Sequence, residues 1–185
     1  MPYFSSRDVA AIALCSALWG VLNSIFSPVF FQMFHLPFLC DLIGFSSLTI
    51  AVWWTRKFWT ATAVGLIATA INFSFPTRPD SVFFLGFTVA SFVFDVLARL
   101  VGYRNLFEKA LTGTVSLVLI SVLSAAAAGS IIGSFFMSAA ALAGVGGVLG
   151  WATLHAVGGV IGGFVGAPLV TAMTKRGIPA PTSQR

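Results

Sequence analysis

The 65 residues from 110 to 174 contain no Asp, Glu, Lys or Arg, and this run most constrains what the chain can fold into. About 20 apolar residues in a helix cross the hydrocarbon core of a bilayer, so the run has room for more than one crossing. Charged residues make up 8% of the chain and its mean hydropathy is +0.98, whereas soluble domains have about 25% charged residues. We therefore predict an integral, multi-pass membrane protein.

Backbone groups inside a bilayer must be paired within the protein, which leaves helical bundles or closed barrels. The apolar runs are continuous and show no alternation with a period of two, so we expect helices. The predicted fold is an all-α bundle of six transmembrane helices that forms one domain over residues 1–185, with a short polar tail at 176–185. The predicted spans are 8–28, 38–55, 58–75, 82–101, 110–131 and 147–173.

The basic residues are distributed unevenly between the predicted loops, and this distribution predicts the orientation. If the N-terminus is cytoplasmic, only Arg78 falls on the outer side. The inner side receives Arg7, Arg56, Lys57, Arg99, Arg104, Lys109, Lys175, Arg176 and Arg185. This bias follows the positive-inside rule and predicts that both termini are cytoplasmic. Because the net charge of +5 is scattered between apolar runs, we expect no nucleic-acid partner.

Small residues recur every three or four positions in two predicted helices. In the first span they are Ala10, Ala13, Ala17, Gly20 and Ser24, and in the last they include Gly158, Gly162 and Gly166. Such stripes let helices approach closely in a membrane. For the last span we predict packing within the bundle. For Ala10, Ala13, Ala17 and Gly20, docking of an external partner helix and internal packing remain equally open.

Several polar and aromatic residues map to the outer third of the predicted bundle or to its outer loops. The candidate ligand-binding residues are Asn23, Gln32, Phe34, His35, Asp41, Asn72 and Trp151. Aromatic walls with a few polar groups are typical of small-molecule sites. The alternative is an aromatic belt at the membrane interface.

The remaining polar residues have structural interpretations. We expect His155 to hydrogen-bond to a neighbouring helix, Asp95 to pair with Arg99 one turn later, and Cys15 and Cys40 to pack as free thiols. No metal-ligand cluster, cofactor motif or catalytic motif is recognisable, so the sequence predicts neither a metal site nor an enzyme.

These features together resemble the substrate-binding (S) components of energy-coupling-factor vitamin transporters, which have this size and six helices. The sequence "ALCSA" contains Ala13 and Ala17 at the spacing of that family's Ala-x-x-x-Ala element in the first helix. The aromatic segment "SPVFFQMFHLP" lies where the family has a substrate-covering loop. The resemblance implies a prokaryotic plasma-membrane protein whose first helix docks on a membrane coupling subunit that carries two cytoplasmic ATPases.

The resemblance also implies a small ligand that is captured outside and delivered inside. Aromatic walls around the Asp41 carboxylate suit a flat and cationic heterocycle. Thiamin or its pyrimidine precursor fits that description, and riboflavin or another vitamin is an alternative. Two other functions remain open, namely a small-molecule permease or channel that acts without a partner, and an accessory subunit of a membrane complex.

Overall fold

The computed structural model describes residues 3–75 and 79–178, and the secondary structure within these ranges is helical throughout. Arg78, Arg185 and most of the predicted polar tail lie outside the described residues. The elements are α1 (Ser6–Phe34), α2 (Phe38–Thr55), α3 (Thr60–Phe73), a 3-10 turn (Pro79–Phe83), α4 (Phe84–Val101), α5 (Tyr103–Glu108), α6 (Ala110–Phe135), α7 (Ala139–Ala143) and α8 (Gly147–Lys175). The predicted all-α class is confirmed.

Five helices of the described chain are long and apolar enough to cross a membrane: α1, α2, α4 with the end of the preceding turn, α6 and α8. The sixth predicted span corresponds to α3, which is apolar but has only 14 residues. At 1.5 Å per residue α3 is roughly 21 Å long, which is shorter than the hydrocarbon core. The structure therefore supports a multi-pass membrane protein with five helices of full length.

Helix α1 does not end at Pro28, as the sequence analysis predicted, but continues to Phe34. The expectation of a non-helical connection at 29–34 was therefore wrong. Proline removes one backbone donor from the helix, but an irregular segment of apolar residues would leave many more backbone groups unpaired near a bilayer. The chain turns at His35, whose φ of 56° lies in the left-handed region and whose N–H donates to the Phe31 carbonyl.

The six longest described helices form a closed ring in the order α1, α2, α8, α6, α4, α3. Each helix packs against the next, and α3 packs back against α1. Helix α8 lies between α2 and α6, so neighbours around the ring are not always neighbours in sequence. At each end of the bundle, several helices therefore surround the interior.

Glycines of α8 allow close approach on two sides of that helix. Gly162 and Gly166 face α2, and a Cβ atom at these positions would lie 2.9 Å from the Cβ of Phe45 and 3.0 Å from the Cβ of Thr49. Gly158 faces the Asp41 side chain in the same way. Gly163 faces Val118 of α6. The sequence-predicted packing glycines thus lie at helix–helix contacts within the bundle.

Apart from Asp41, the charged side chains that the structure describes lie at the end of the bundle where α1 begins and α8 ends. There Lys57 Nζ lies 2.9 Å from Asp8 Oδ2, and Arg56 pairs with Glu108 at 3.1 Å. We refer to this end as the charged end. The opposite end of the bundle is formed by the C-terminal halves of α1, α3 and α6 and the N-terminal halves of α2, α4 and α8.

Asp95 of α4 caps the start of α3, in contrast to the predicted pairing with Arg99. Its carboxylate accepts hydrogen bonds from the Ala61 N–H at 3.1 Å, the Thr62 N–H at 2.8 Å and the Thr62 hydroxyl at 2.7 Å. Helix α3 begins after Trp59, which makes no side-chain cap, so its first N–H groups need an acceptor from elsewhere. The Asp95 carboxylate is the acceptor for these N–H groups, and a negative charge at a helix N-terminus is favourable. This contact replaces the predicted ion pair with Arg99 on the same helix.

Candidate functional site

A cavity of about 170 Å³ opens between the helices at the end of the bundle opposite the charged end. It lies between the C-terminal parts of α1, α3 and α6, the N-terminal parts of α2, α4 and α8, and the turn before α4. Its wall is largely apolar and aromatic, with a few amide, hydroxyl and imidazole groups. An engineered apolar cavity of about 150 Å³ binds benzene, so this cavity has the size for a molecule with one aromatic ring.

Four of the seven predicted ligand-binding residues line this cavity: Asn23, Gln32, Asn72 and Trp151. Phe34 and His35 do not line it, because the continuation of α1 beyond Pro28 places both side chains on the exposed surface. Asp41 does not line it either, since its side chain is fully buried behind the cavity wall. The prediction of a carboxylate in direct contact with the ligand therefore needs correction.

Asp41 is instead the partner of His155, which lines the cavity. The Nδ1 atom of His155 lies 3.0 Å and 3.1 Å from the two carboxylate oxygens of Asp41. The relative exposure of the two residues is 0% and 2%. The pair links α2 to α8 at the place where Gly158 brings the helices together. We call Asp41 and His155 the buried dyad.

Aromatic rings surround the imidazole of His155 on the cavity side. The ring of Trp151, one turn earlier on α8, lies edge-to-face with it at 5.3 Å between centroids. Phe87 of α4 lies edge-to-face with it at 5.5 Å, and Phe31 of α1 lies edge-to-face with Trp151 at 6.1 Å. Rings with their edges and faces at these separations provide a surface on which a planar ligand can stack.

The two asparagine side chains in the wall make hydrogen bonds within the protein. The Nδ2 group of Asn72 donates to the carbonyls of Ala68 and Gly20, and its Oδ1 accepts from the Ser24 hydroxyl. The side-chain oxygen of Asn23 accepts from the Ser27 hydroxyl. These contacts hold the C-terminal half of α1 in place, so Asn23 and Asn72 shape the cavity more than they offer it free hydrogen-bonding groups.

Two nitrogen atoms of the wall residues have no hydrogen-bond partner among the described residues: Nε1 of Trp151 and Nε2 of His155. Both side chains are more than nine-tenths buried. Buried polar atoms in native proteins nearly always have a partner, and an unpaired one costs roughly 1–3 kcal/mol. Both nitrogen atoms are themselves buried within the wall, as are unpaired side-chain atoms elsewhere in the bundle such as Trp19 Nε1 and Ser121 Oγ.

The small-residue stripe of α1 divides into two parts. Ala10, Ala13 and Ala17 are exposed on the outer surface of the bundle. Gly20 is buried against α3, where a Cβ atom would lie 2.9 Å from Ile71 Cβ, and Ser24 is hydrogen-bonded to Asn72. Gly20 therefore belongs to packing within the bundle and is removed from the predicted docking surface, because α3 already occupies its face.

Several wall residues were not predicted from the sequence, above all His155, Cys40 and Ile132. Cys40 was predicted to be a packing residue with a free thiol, and it is a free thiol that also lines the cavity. The i, i+4 spacing of Trp151 and His155 placed both on one face of α8 and was the available signal. The partner of His155 was not recognisable, because Asp41 is 114 residues away.

No family model, curated protein or solved structure matches this chain. The function is therefore inferred from the cavity and the surfaces of the bundle.

Proposed function

We propose that this chain is the membrane substrate-binding component of an ATP-driven uptake system for a small heteroaromatic micronutrient. The observation that carries the proposal is the aromatic cavity at the end of the bundle opposite the charged end. A small concave site with a few polar groups suits a small organic ligand.

The orientation of the proposed component follows from its charges. All eight Lys and Arg residues of the described chain lie at the charged end, and basic residues are enriched on the cytoplasmic side of membrane proteins. With α3 as a short sixth span, both termini are cytoplasmic and the cavity opens toward the outside. A ligand that enters the cavity from outside has not yet crossed the hydrocarbon core of the bilayer.

The exposed part of the α1 stripe supports a partner subunit. Ala10, Ala13 and Ala17 form a flat surface that the bundle's own helices leave uncovered, and small residues permit a foreign helix to approach closely. In the proposed system this surface docks on a coupling subunit with two cytoplasmic ATPases. This assignment follows from the resemblance described above.

The first experiment asks whether the protein retains a ligand. Mass spectrometry of small molecules released from the purified protein should find a heteroaromatic compound at about one per chain. A protein that retains no such compound and confers no uptake on cells would be better explained as an accessory subunit.

The second experiment separates binding from delivery. Ala13→Trp combined with Ala17→Trp should abolish uptake and leave ligand retention unchanged, because both residues lie on the outer surface and neither lines the cavity. The matched control combines Ala70→Trp and Ala172→Trp, which make the same change at exposed positions of α3 and α8. Normal uptake by the α1 variant would favour a permease that acts without a partner.

A further inference from the structure

We propose that a second cavity, at the charged end of the bundle, binds the headgroup of an anionic phospholipid through Lys109 and Lys175. This cavity has a volume of about 210 Å³ and lies between the end of α5, the start of α6 and the end of α8. We call it the lysine cavity. It shares no lining residue with the aromatic cavity at the other end, so the proposal does not depend on the ligand assigned there.

The lysine cavity exists because the chain folds back at Lys109. This single residue joins α5 to α6 in an extended conformation, with φ −109° and ψ 105°. Helix α5 then packs against α6 at Gly113, where an added Cβ would collide with the carbonyl oxygen of Leu106. Leu106 and Phe107 of α5 therefore form one wall of the cavity, and α6 and α8 form the others.

Both lysines are at the depth of lipid headgroups. Lys109 immediately precedes α6 and Lys175 is the last residue of α8, and both helices are long and apolar enough to cross a membrane. Lysines at the ends of such helices extend their ammonium groups to the membrane interface. The two ammonium groups therefore lie near the phosphates of the same leaflet, and both side chains line the cavity.

The charges around the lysine cavity favour an anion. Each of the three acidic side chains described at the charged end already has partners: Asp8 with Lys57, Asp95 with Ala61 and Thr62, and Glu108 with Arg56 and Arg104. Lys109 and Lys175 form no ion pair among the described residues. Two ammonium groups in one cavity wall complement a phosphate, which accepts charge-assisted hydrogen bonds from both.

The lysines are the donors available to such a phosphate. The hydroxyl groups of Thr171 and Thr174 also belong to the wall, but they donate to the carbonyls of Ala167 and Val170, one turn earlier on α8. Basic pockets between membrane helices on the cytoplasmic side are a known type of site for anionic headgroups. Recognition here therefore depends on the charge of the headgroup.

The position of the wall residues favours a lipid over a soluble phosphate. Along α8 the wall passes from buried Ala167 to exposed Thr171 and Lys175 at intervals of one turn, so the cavity reaches the outer surface of the bundle. Phe164, seven residues before Thr171 and therefore on the same face, is 58% exposed, and Val115 of α6 is 50% exposed. An acyl chain can lie along these apolar side chains while its phosphate contacts the lysines.

The test is native mass spectrometry of the purified protein with phosphatidylglycerol and phosphatidylcholine that have identical acyl chains. We expect one phosphatidylglycerol per chain, bound with about tenfold higher affinity than phosphatidylcholine. Glycerol phosphate at the same concentration as the lipid should not displace it, because it has no acyl chain. Equal affinities for the two lipids, or displacement by glycerol phosphate, would overturn the proposal.

A pair of matched variants tests the assigned residues. Lys109→Gln combined with Lys175→Gln should weaken phosphatidylglycerol binding about tenfold and leave phosphatidylcholine binding unchanged. Arg7→Gln combined with Arg99→Gln is the control, because it removes the same charge from exposed residues at the same end that do not line the lysine cavity. An equal loss in both variants would show that overall charge alone attracts the lipid, and the assigned site would be wrong.

A third variant tests the cavity with every charge retained. Thr171→Phe places a large side chain in the wall, and we expect it to weaken phosphatidylglycerol binding about tenfold, because the headgroup can no longer enter between α6 and α8. Unchanged phosphatidylglycerol affinity in this variant would place the lipid elsewhere on the charged end and overturn the proposal.

Discussion

The two ends of the bundle each contain a buried aspartate, and the two carboxylates are satisfied in different ways. Asp95, near the charged end, accepts three hydrogen bonds from the first turn of α3. Asp41, near the cavity, is hydrogen-bonded to a single imidazole whose other nitrogen has no partner in the described structure. The partners of Asp95 are all groups at the start of α3, whereas the partner of Asp41 is His155, which lines the cavity.

This difference indicates how to separate a structural from a functional buried charge in this protein. Both residues are 0% exposed, so burial alone does not distinguish them. The distinction comes from the partner, since a backbone N–H has no further group to offer and an imidazole has a second nitrogen. Substitution at Asp95 should therefore affect folding, and substitution at Asp41 should affect the ligand.

The largest effect on stability is expected for Asp95→Asn. The amide group of Asn can keep one oxygen as an acceptor but places an NH2 group opposite the donors of Ala61 or Thr62. We expect the free energy of unfolding to fall by about 3 kcal/mol, because buried donors lose a charged acceptor. Thermal unfolding in detergent measures the change, and ligand affinity in the remaining folded protein should not change.

An intermediate effect is expected for Gly162→Ala, which adds a methyl group 2.9 Å from Phe45 Cβ. Separation of α2 and α8 should lower the free energy of unfolding by about 2 kcal/mol and weaken ligand binding, because the same two helices carry the buried dyad. Gly144→Ala is the matched control, since a Cβ there meets nothing within 4 Å. Equal unfolding temperatures for both variants would show that the close contact of α2 and α8 is not required.

The smallest effect on stability is expected for Asp41→Asn, at about 1 kcal/mol, because Asn retains one hydrogen bond with His155. Its effect on binding should be larger than that of Asp95→Asn, with affinity for the retained ligand about tenfold lower. Isothermal titration measures the affinity. If Asp41→Asn unfolds the protein as readily as Asp95→Asn and binds normally, the contrast between the two carboxylates fails.

The helical class and most of the helices could be predicted because they depend on local composition. The bounds of α2 agree with the predicted span at 38–55, since charged or proline-containing turns flank it. The end of α1 was wrong because the prolines were treated as stops, although the membrane environment favours continued helix through Pro28. The third span was predicted at 58–75, longer than the observed helix Thr60–Phe73, because the aromatic residues Phe58, Trp59 and Phe75 flank the helix without belonging to it.

The candidate site was predicted less completely, because its chemistry depends on contacts between distant residues. Trp151 and Asn23 line the cavity as the depth argument suggested. The position of Asp41 or His35 along its span did not show the direction in which its side chain points. That direction depends on the order of the helices around the ring. Asp95 illustrates the same point, since its partner lies on α3 rather than one turn away.

The sequence distance between Asp41 and His155 has a consequence for biogenesis. At about 5–20 residues per second, the ribosome needs roughly 6–23 s to add the 114 residues that separate them. During that interval the carboxyl group of Asp41 has no partner, because His155 has not yet been synthesised. Asp41 lies in the first turn of α2, and a carboxyl group without a partner is costly inside a bilayer, so we expect the nascent protein to reach its final arrangement only when α8 leaves the translocon.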